Sequence, residues 1–121
     1  MRPTQVRRVI RELAAQGYLV RTKHLRSVVT EKGQPMLMTA HTAKESGAQI
    51  LARGGETHAA VYTVPEGLDA ADKGNWVRVA HAVAMCNTEH ENFRSDQGSA
   101  IALGRALKKM HEAGVAREVR V

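Results

Sequence analysis

The chain has 121 residues, a formal net charge of +6, one cysteine and only four Phe, Tyr or Trp residues. This length fits one domain, residues 1–121, with a modest core of Val, Leu, Ile, Met and Ala. One cysteine excludes an intramolecular disulfide and a four-thiolate metal site. No apolar run reaches the roughly 20 residues of a membrane span, and the basic N-terminus has no hydrophobic signal core, so we expect a cytoplasmic protein without membrane contact.

The positive charge is concentrated near the N-terminus. Residues 1–34 hold eight basic groups and two acids, whereas residues 35–121 hold ten of each. An excess confined to one segment is typical of a surface that meets the phosphates of DNA or RNA. A solvated cationic face that only aids solubility is the alternative.

An amphipathic helix is predicted from Pro3-Thr4 to a stop at Gly17, because apolar residues recur at helical spacing from Val6 to Ala14. Four arginines crowd its first turns, where the helix dipole disfavours cations. We therefore expect a binding role for them, on one continuous basic face with three cations of the next segment. These seven residues are Arg2, Arg7, Arg8, Arg11, Arg21, Lys23 and Arg26.

Residues 18–30 predict two strands joined by a tight turn near Lys23-His24. A second turn at residues 31–34 leads to a short third strand at residues 35–39. Residues 1–40 are thus predicted to form a basic α-β-β-β unit.

This unit resembles the HicA-type toxins, small ribonucleases with a double-stranded-RNA-binding-like fold. The likeness rests on a helix that ends in Gly17-Tyr18, a Val20-Arg21-Thr22-Lys23 strand, His24, and the turn at Gly33. It implies an RNA substrate and His24 as the catalytic histidine, although Lys23-His24-Leu25 stands where those toxins have Gly-Ser-His. Apart from this resemblance, His24 is interpreted as a polar turn residue or a phosphate contact, and no other catalytic residue is assigned.

The same segment also resembles part of a winged-helix regulator. Residues 4–20 are similar to its recognition helix and following strand, and residues 29–33 to the segment that leaves the wing. The two helices that precede such a unit are not in this sequence, so a recognition helix would lack its support. We rank this interpretation below the α-β-β-β unit, and both imply contact with nucleic acid.

The second unit, residues 54–114, is predicted to be a β-hairpin with a closing helix. Before it, residues 43–53 suit a short helix interrupted by Gly47. Strands are predicted at residues 56–64 and 76–86, with a turn-rich loop between them. In the second strand, Val77, Val79, Val83 and Met85 are placed on the buried side, together with His81 as a hydrogen-bonded core histidine. Residues 117–121 suit an edge strand or a frayed tail.

The closing helix is predicted to begin at Ser95-Asp96 and to bury one stripe of residues. Gly104 lies within that stripe, and a close approach to the sheet would explain it. The buried stripe is Ala100, Leu103, Gly104, Leu107, Met110 and Gly114. The opposite side carries Arg105, Lys108 and Lys109, which could extend the basic face or form an ordinary solvated face.

The end of the hairpin and the closing helix carry a recurring pattern. It runs from Cys86 through Glu91-Asn92-Phe93-Arg94 and Gly98 to Ile101-Ala102-Leu103-Gly104-Arg105-Ala106. This pattern resembles one found in small proteins of bacteriophages and other mobile elements. The resemblance implies a phage-like protein that acts in the cytoplasm of a bacterial host cell, and it implies no chemistry.

No metal or cofactor is expected. Cys86 and His90 form one pair at short spacing, with Glu89, Glu91 and His81 nearby, whereas structural zinc commonly needs two such pairs. Cys86 is interpreted as a small buried residue at a strand end. Trp76 and Phe93 are core or rim residues, with base stacking as the alternative.

The predicted fold class is α+β, an antiparallel sheet with packed helices. The predicted function is DNA or RNA binding through the phosphate backbone, without catalysis. A HicA-like ribonuclease and a phage-encoded inhibitor or adaptor that binds a host protein are the alternatives, and a homodimer is left open. The nucleic-acid-binding residues are predicted to be Arg2, Arg7, Arg8, Arg11, Arg21, Lys23, Arg26, Arg105, Lys108 and Lys109.

Overall fold

The computed structural model describes residues 1–86 and 91–115. It contains three α-helices: α1 (Val6–Ala15), α2 (Ala40–Ser46) and α3 (Ser95–Glu112). A single 3-10 turn, Pro3–Gln5, leads into α1, and a second one, Lys73–Asn75, lies in the long loop of the hairpin. Within the described residues, no helix is long and apolar enough to cross a membrane. The predicted tail at residues 117–121 lies outside the described residues.

Five strands form one antiparallel sheet, which confirms the predicted α+β class. They are β1 (Tyr18–Val29), β2 (Pro35–Met38), β3 (Gln49–Ile50), β4 (Glu56–Thr63) and β5 (Val77–Met85). The order across the sheet is β2-β1-β4-β5. The short β3 pairs with the end of β1, at Val28 and Val29.

The turn predicted near Lys23-His24 is wrong. β1 runs straight through these residues for 12 positions. The reason is its long partner: β4 pairs with β1 from Tyr18 to Leu25, which places Lys23 opposite His58. Beyond Leu25, β1 pairs with β2 instead. The first forty residues therefore contain two strands in place of the three that were predicted.

The predicted helix over residues 43–53 is shorter and begins earlier. The Thr39 side chain caps α2 by accepting a hydrogen bond from the Thr42 N–H at 3.2 Å. Gly47, with φ of 72°, ends the helix in the left-handed conformation that suits glycine. The following residues form β3, so the chain returns to the sheet directly after that glycine.

The core lies between the sheet and the two longer helices. Val9 and Leu13 of α1 pack with Leu103 and Leu107 of α3 and with Val61 of β4 in one buried cluster. Residues of both predicted units thus share one core. The apolar stripe of α1 is confirmed at its two most buried positions. For α3, four of the six predicted stripe residues are buried, namely Ala100, Leu103, Leu107 and Met110.

The buried side of β5 is the opposite of the predicted one. Ala80, Ala82 and Ala84 face the core, whereas Val79 and Met85 are 39% and 74% exposed. The small side chains lie under α3, where a helix can approach the sheet closely because they take little space. His81 consequently lies on the side away from α3, and its prediction as a core histidine is wrong.

Two glycines of α3 have different neighbours. A Cβ at Gly98 would overlap the buried Thr57 side chain, whose Cβ would lie 3.0 Å away. At Gly104 a Cβ would meet Met1 at an ordinary 3.6 Å. The close approach to the sheet that was predicted for Gly104 therefore occurs at Gly98.

We expect Gly98→Ala and Gly104→Ala to change stability in opposite directions. Each replacement gains about 1 kcal/mol in helix propensity. At Gly98 the overlap with Thr57 costs about 1–3 kcal/mol, which outweighs that gain. Denaturant unfolding should therefore give a lower free energy of unfolding for Gly98→Ala and a higher one for Gly104→Ala. A stabilised Gly98→Ala protein would contradict the close packing of α3 on β4.

Candidate nucleic-acid interface

The predicted basic surface is divided between two sides of the protein. Val9 and Leu13 place α1 on the same face of the sheet as α3. Along β1, Val20 packs against that core, so the alternating Arg21 and Lys23 project from the other face. The prediction of one continuous basic face is therefore wrong, because the sheet separates its two halves.

The arginines of α1 remain on its outer surface. Arg2, Arg7 and Arg11 are exposed. Arg8 forms an i,i+4 ion pair with Glu12, with 2.9 Å between the guanidinium and carboxylate. This pair is well exposed, so it contributes little to stability.

Arg26 is already engaged within the protein. Its guanidinium lies 4.6 Å from the centroid of the Phe93 ring, and it donates a hydrogen bond to the Leu51 carbonyl at 3.1 Å. The cation–π contact connects β1 to the segment that precedes α3, and the hydrogen bond connects β1 to the residue that follows β3. Phe93 is occupied on this side, and neither residue lies beside Arg21 and Lys23.

The cations of α3 cover the outer edge of β5. Arg105 donates to the Val83 carbonyl at 2.8 Å, and Lys109 donates to the His81 carbonyl at 2.7 Å. Charged side chains on an edge strand prevent pairing with another chain. Lys108 is exposed. Thus two of the three predicted contacts on α3 are held against the sheet edge, next to the face that carries Arg21.

The face of the sheet opposite α1 and α3 carries basic, aromatic and histidine side chains close together. Four rows cross β1, β4 and β5, and strand pairing defines each row. They are Leu19-Tyr62-Arg78, Arg21-Ala60-His81, Lys23-His58-Val83 and Leu25-Glu56-Met85. We call the surface formed by these rows the open face. Neighbouring residues in a row lie on strands about 4.8 Å apart, so their side chains contact one another.

Two aromatic rings lie at one end of the open face. The Tyr62 and Trp76 rings have centroids 5.5 Å apart and are tilted by 50°. The indole N–H of Trp76 donates to the Ala70 carbonyl at 2.8 Å, which fixes the ring at the end of the hairpin loop. The Arg21 guanidinium lies 5.9 Å from the Trp76 ring centroid. A cation and two partly exposed rings therefore share one end of this surface.

A hydrogen-bonded chain of three titratable groups lies in the middle. His58 Nδ1 is 3.0 Å from His81 Nε2, and His58 Nε2 is 3.0 Å from Glu56 Oε2. The two imidazole planes are inclined by 25°, and the ring centroids are 5.2 Å apart. Burial lowers the pKa of His81, and the neighbouring His58, Arg78 and Lys109 lower it further. His81 is therefore neutral near pH 7.

These groups surround a shallow depression of about 550 Å³. Its walls include Arg21, Lys23, Tyr62, Arg78 and the two histidines. Sequence reasoning named Arg21, Lys23 and Trp76 but missed Arg78 and the chain from Glu56 to His81. The alternating Glu56-Thr57-His58 was the available signal, and only the pairing of β4 with β5 brings it to His81.

His24 lies on the opposite side of the sheet from this depression. Its Nδ1 is 2.9 Å from the hydroxyl of the buried Thr57, and its ring meets Phe93 edge-on with centroids 5.8 Å apart. Burial lowers the pKa of His24. The prediction of a turn histidine is wrong, because His24 is in the middle of a strand.

No metal centre is found where the structure describes the chain: residues 1–86 and 91–115 contain no group of three or more His, Cys, Asp or Glu that could hold an ion. Cys86 is half-buried and donates its thiol to the Glu91 carbonyl at 3.3 Å. The Glu89 and His90 side chains considered with it lie outside the described residues.

The lowered pKa of His24 predicts a pH-dependent stability. Unfolded His24 titrates near 6.5, so below that pH the unfolded chain binds more protons than the folded one. The free energy of unfolding should therefore fall as pH drops from 7 to 5, and less steeply in His24→Ala. His41→Ala is the control, because the His41 side chain is 82% exposed. Equal slopes for His24→Ala and the wild type in urea titrations would contradict burial as the cause.

Likeness to known proteins offers no guide to this surface. Comparisons with family models, with curated proteins and with solved structures found no match to the chain. A function must therefore be inferred from the chemistry of its own residues.

Proposed function

We propose that the protein binds single-stranded nucleic acid on the open face. The observation that carries this proposal is the placement of two aromatic rings, Tyr62 and Trp76, beside the cations Arg21, Lys23 and Arg78 on one surface. Aromatic rings stack on unpaired bases, and cations bind the phosphates between them. Both ligand types are needed for a single strand, whereas a duplex hides the faces of its bases.

The geometry of the β-strands supports base stacking on the rings and phosphate contacts with the cations. Tyr62 and Arg78 are directly paired across β4 and β5, while Arg21 and Lys23 lie two residues apart on β1. Side chains two residues apart on a strand are separated by about 6.6 Å along it. A single strand of nucleic acid bound on the sheet can therefore stack a base on Tyr62 and place successive phosphates beside Arg21 and Lys23.

The arginines of α1 are not required for a ligand on the open face. They lie on the other side of the sheet, so one strand of nucleic acid cannot contact both sets by a short path. Their charge still raises the general attraction of the protein for polyanions. Substitutions on the open face should therefore weaken binding strongly, whereas substitutions on α1 should weaken it only slightly. This difference separates direct contact from general attraction.

We expect paired substitutions to distinguish the two surfaces. Arg21→Ala/Lys23→Ala and Arg7→Ala/Arg11→Ala each remove two positive charges from exposed positions. The first pair should weaken binding to a labelled single-stranded oligonucleotide at least tenfold, and the second less than threefold. Fluorescence anisotropy at low salt, with single- and double-stranded DNA and RNA, measures this. An equal or larger loss for the α1 pair would move the interface to the helix, and no binding at all would reject a nucleic-acid function.

Salt dependence gives an independent test of the phosphate contacts. Three contacts to a single strand predict a slope of about −2 in a plot of log Kobs against log salt concentration. Arg78→Ala should reduce the slope by about 0.7, because each contact releases counterions from the strand. Trp76→Ala should instead lower affinity with an unchanged slope, since stacking involves no counterions, and Trp76→Phe should restore most of it. A changed slope in Trp76→Ala would argue against stacking.

A further inference from the structure

The hydrogen bonds of the open face determine where the protons lie on its two histidines. The Glu56 carboxylate only accepts hydrogen bonds, so His58 must donate its Nε2–H to it. Neutral His58 then has an unprotonated Nδ1, which accepts the Nε2–H of His81. His81 is left with a bare lone pair on Nδ1. Nδ1 has no hydrogen-bond partner within the part of the chain that the structure describes.

Charged or titratable groups approach His81 from each neighbouring element. β1 presents Arg21, one strand beyond Ala60 in the same row. β4 presents His58 and, behind it, Glu56. β5 presents Arg78, and α3 presents Lys109, which donates to the His81 carbonyl at 2.7 Å. A phosphodiester that enters between Arg21 and His81 is therefore surrounded by cations and lies close to a neutral imidazole.

We propose that the open face also cleaves single-stranded RNA, with His81 as the general base and His58 and Glu56 as its positioning residues. The inference rests on the proposed binding function. Glu56 orients His58, and His58 orients His81, in the same way that a carboxylate holds a catalytic imidazole in one tautomer. Arg21 and Lys23 would stabilise the charge that develops on the phosphorane oxygens.

The reaction is a transesterification within the RNA. His81 Nδ1 takes the proton of a ribose 2′-hydroxyl, and the 2′ oxygen forms a bond to the adjacent phosphorus. The bond from phosphorus to the 5′ oxygen breaks, and water gives that oxygen a proton. The hydroxide left by this transfer removes the proton from the His81 imidazolium, which restores the starting state. The products are a 2′,3′-cyclic phosphate and a 5′-hydroxyl, so DNA binds but is not cut.

The decisive substrate is a labelled DNA oligonucleotide with one internal ribonucleotide, made in four versions for the four bases. It is incubated with the full chain in EDTA, beside the all-deoxy oligonucleotide of the same sequence. We expect a single cut after the ribonucleotide, with a cyclic phosphate on the 5′ fragment. The rate should fall as pH drops and His81 becomes protonated.

Substitutions then separate catalysis from binding. His81→Ala should slow cleavage at least about 100-fold, the usual contribution of a general base, while the Kd for the all-deoxy oligonucleotide changes less than about threefold. Glu56→Gln should slow it about tenfold, because an amide can donate as well as accept and so no longer fixes the tautomer of His58, and it carries no charge to stabilise the imidazolium. His24→Ala and His41→Ala should cut like the wild type. His81→Asn and thermal melts show whether a loss of activity reflects a loss of fold.

The outcomes are distinct. Oligonucleotides that bind but remain intact would overturn catalysis and leave the binding function in place. Cleavage that persists in both His81 variants, or that EDTA abolishes, would also overturn the role of His81. Failure of the wild type to bind any of these oligonucleotides would overturn the binding function on which the inference depends.

Discussion

The packing of α3 on small residues decides which face of the sheet is buried. Ala82 and Ala84 lie under the helix, and Gly98 approaches Thr57 so closely that a methyl group would not fit. Side chains alternate along a strand, so a shift of one residue in β5 would place valines under the helix and alanines outside. The larger volume of valine would then force the helix away from the sheet. This steric constraint therefore assigns His81, Val83 and Met85 to the open face.

The open face follows from that constraint. Once the alanines of β5 are buried, His81 must point away from the core, towards His58 of β4. Arg78 lies two residues from Ala80, and it reaches the open face because the register of β4 and β5 shifts between Val61 and Tyr62, which pairs Arg78 with Tyr62. The absence of a turn at Lys23 has a similar effect, because an uninterrupted β1 adds Arg21 and Lys23 to the same surface. Three local features, namely small residues, a shift of register and a long strand, thus gather cations, rings and histidines that are far apart in the sequence.

The sequence predicts the elements of this fold better than it predicts their faces. Helical spacing locates α1 and α3, and alternation locates β4 and β5 to within one or two residues. The prediction fails on the buried side of β5 because valine is more hydrophobic than alanine, so Val79 was placed inside and Ala80 outside. In the structure, α3 packs closely on the sheet, and only the smaller alanine side chains fit beneath it. The prediction fails at Lys23-His24 because two polar residues in a strand imitate a turn. The chain from Glu56 to His81 depends on strand register, which periodicity within one segment does not contain.

The cations of the open face would act twice in the proposed reaction. Before RNA binds, the positive charges of Arg78 and Lys109 help to lower the pKa of His81, so its Nδ1 keeps a free lone pair. A bound phosphate would offset part of that charge, so the imidazole would be a stronger base with substrate present than without it. The Glu56 carboxylate, two hydrogen bonds away, would then stabilise the imidazolium as it forms. Attraction of the substrate and activation of the base would thus depend on the same few charges.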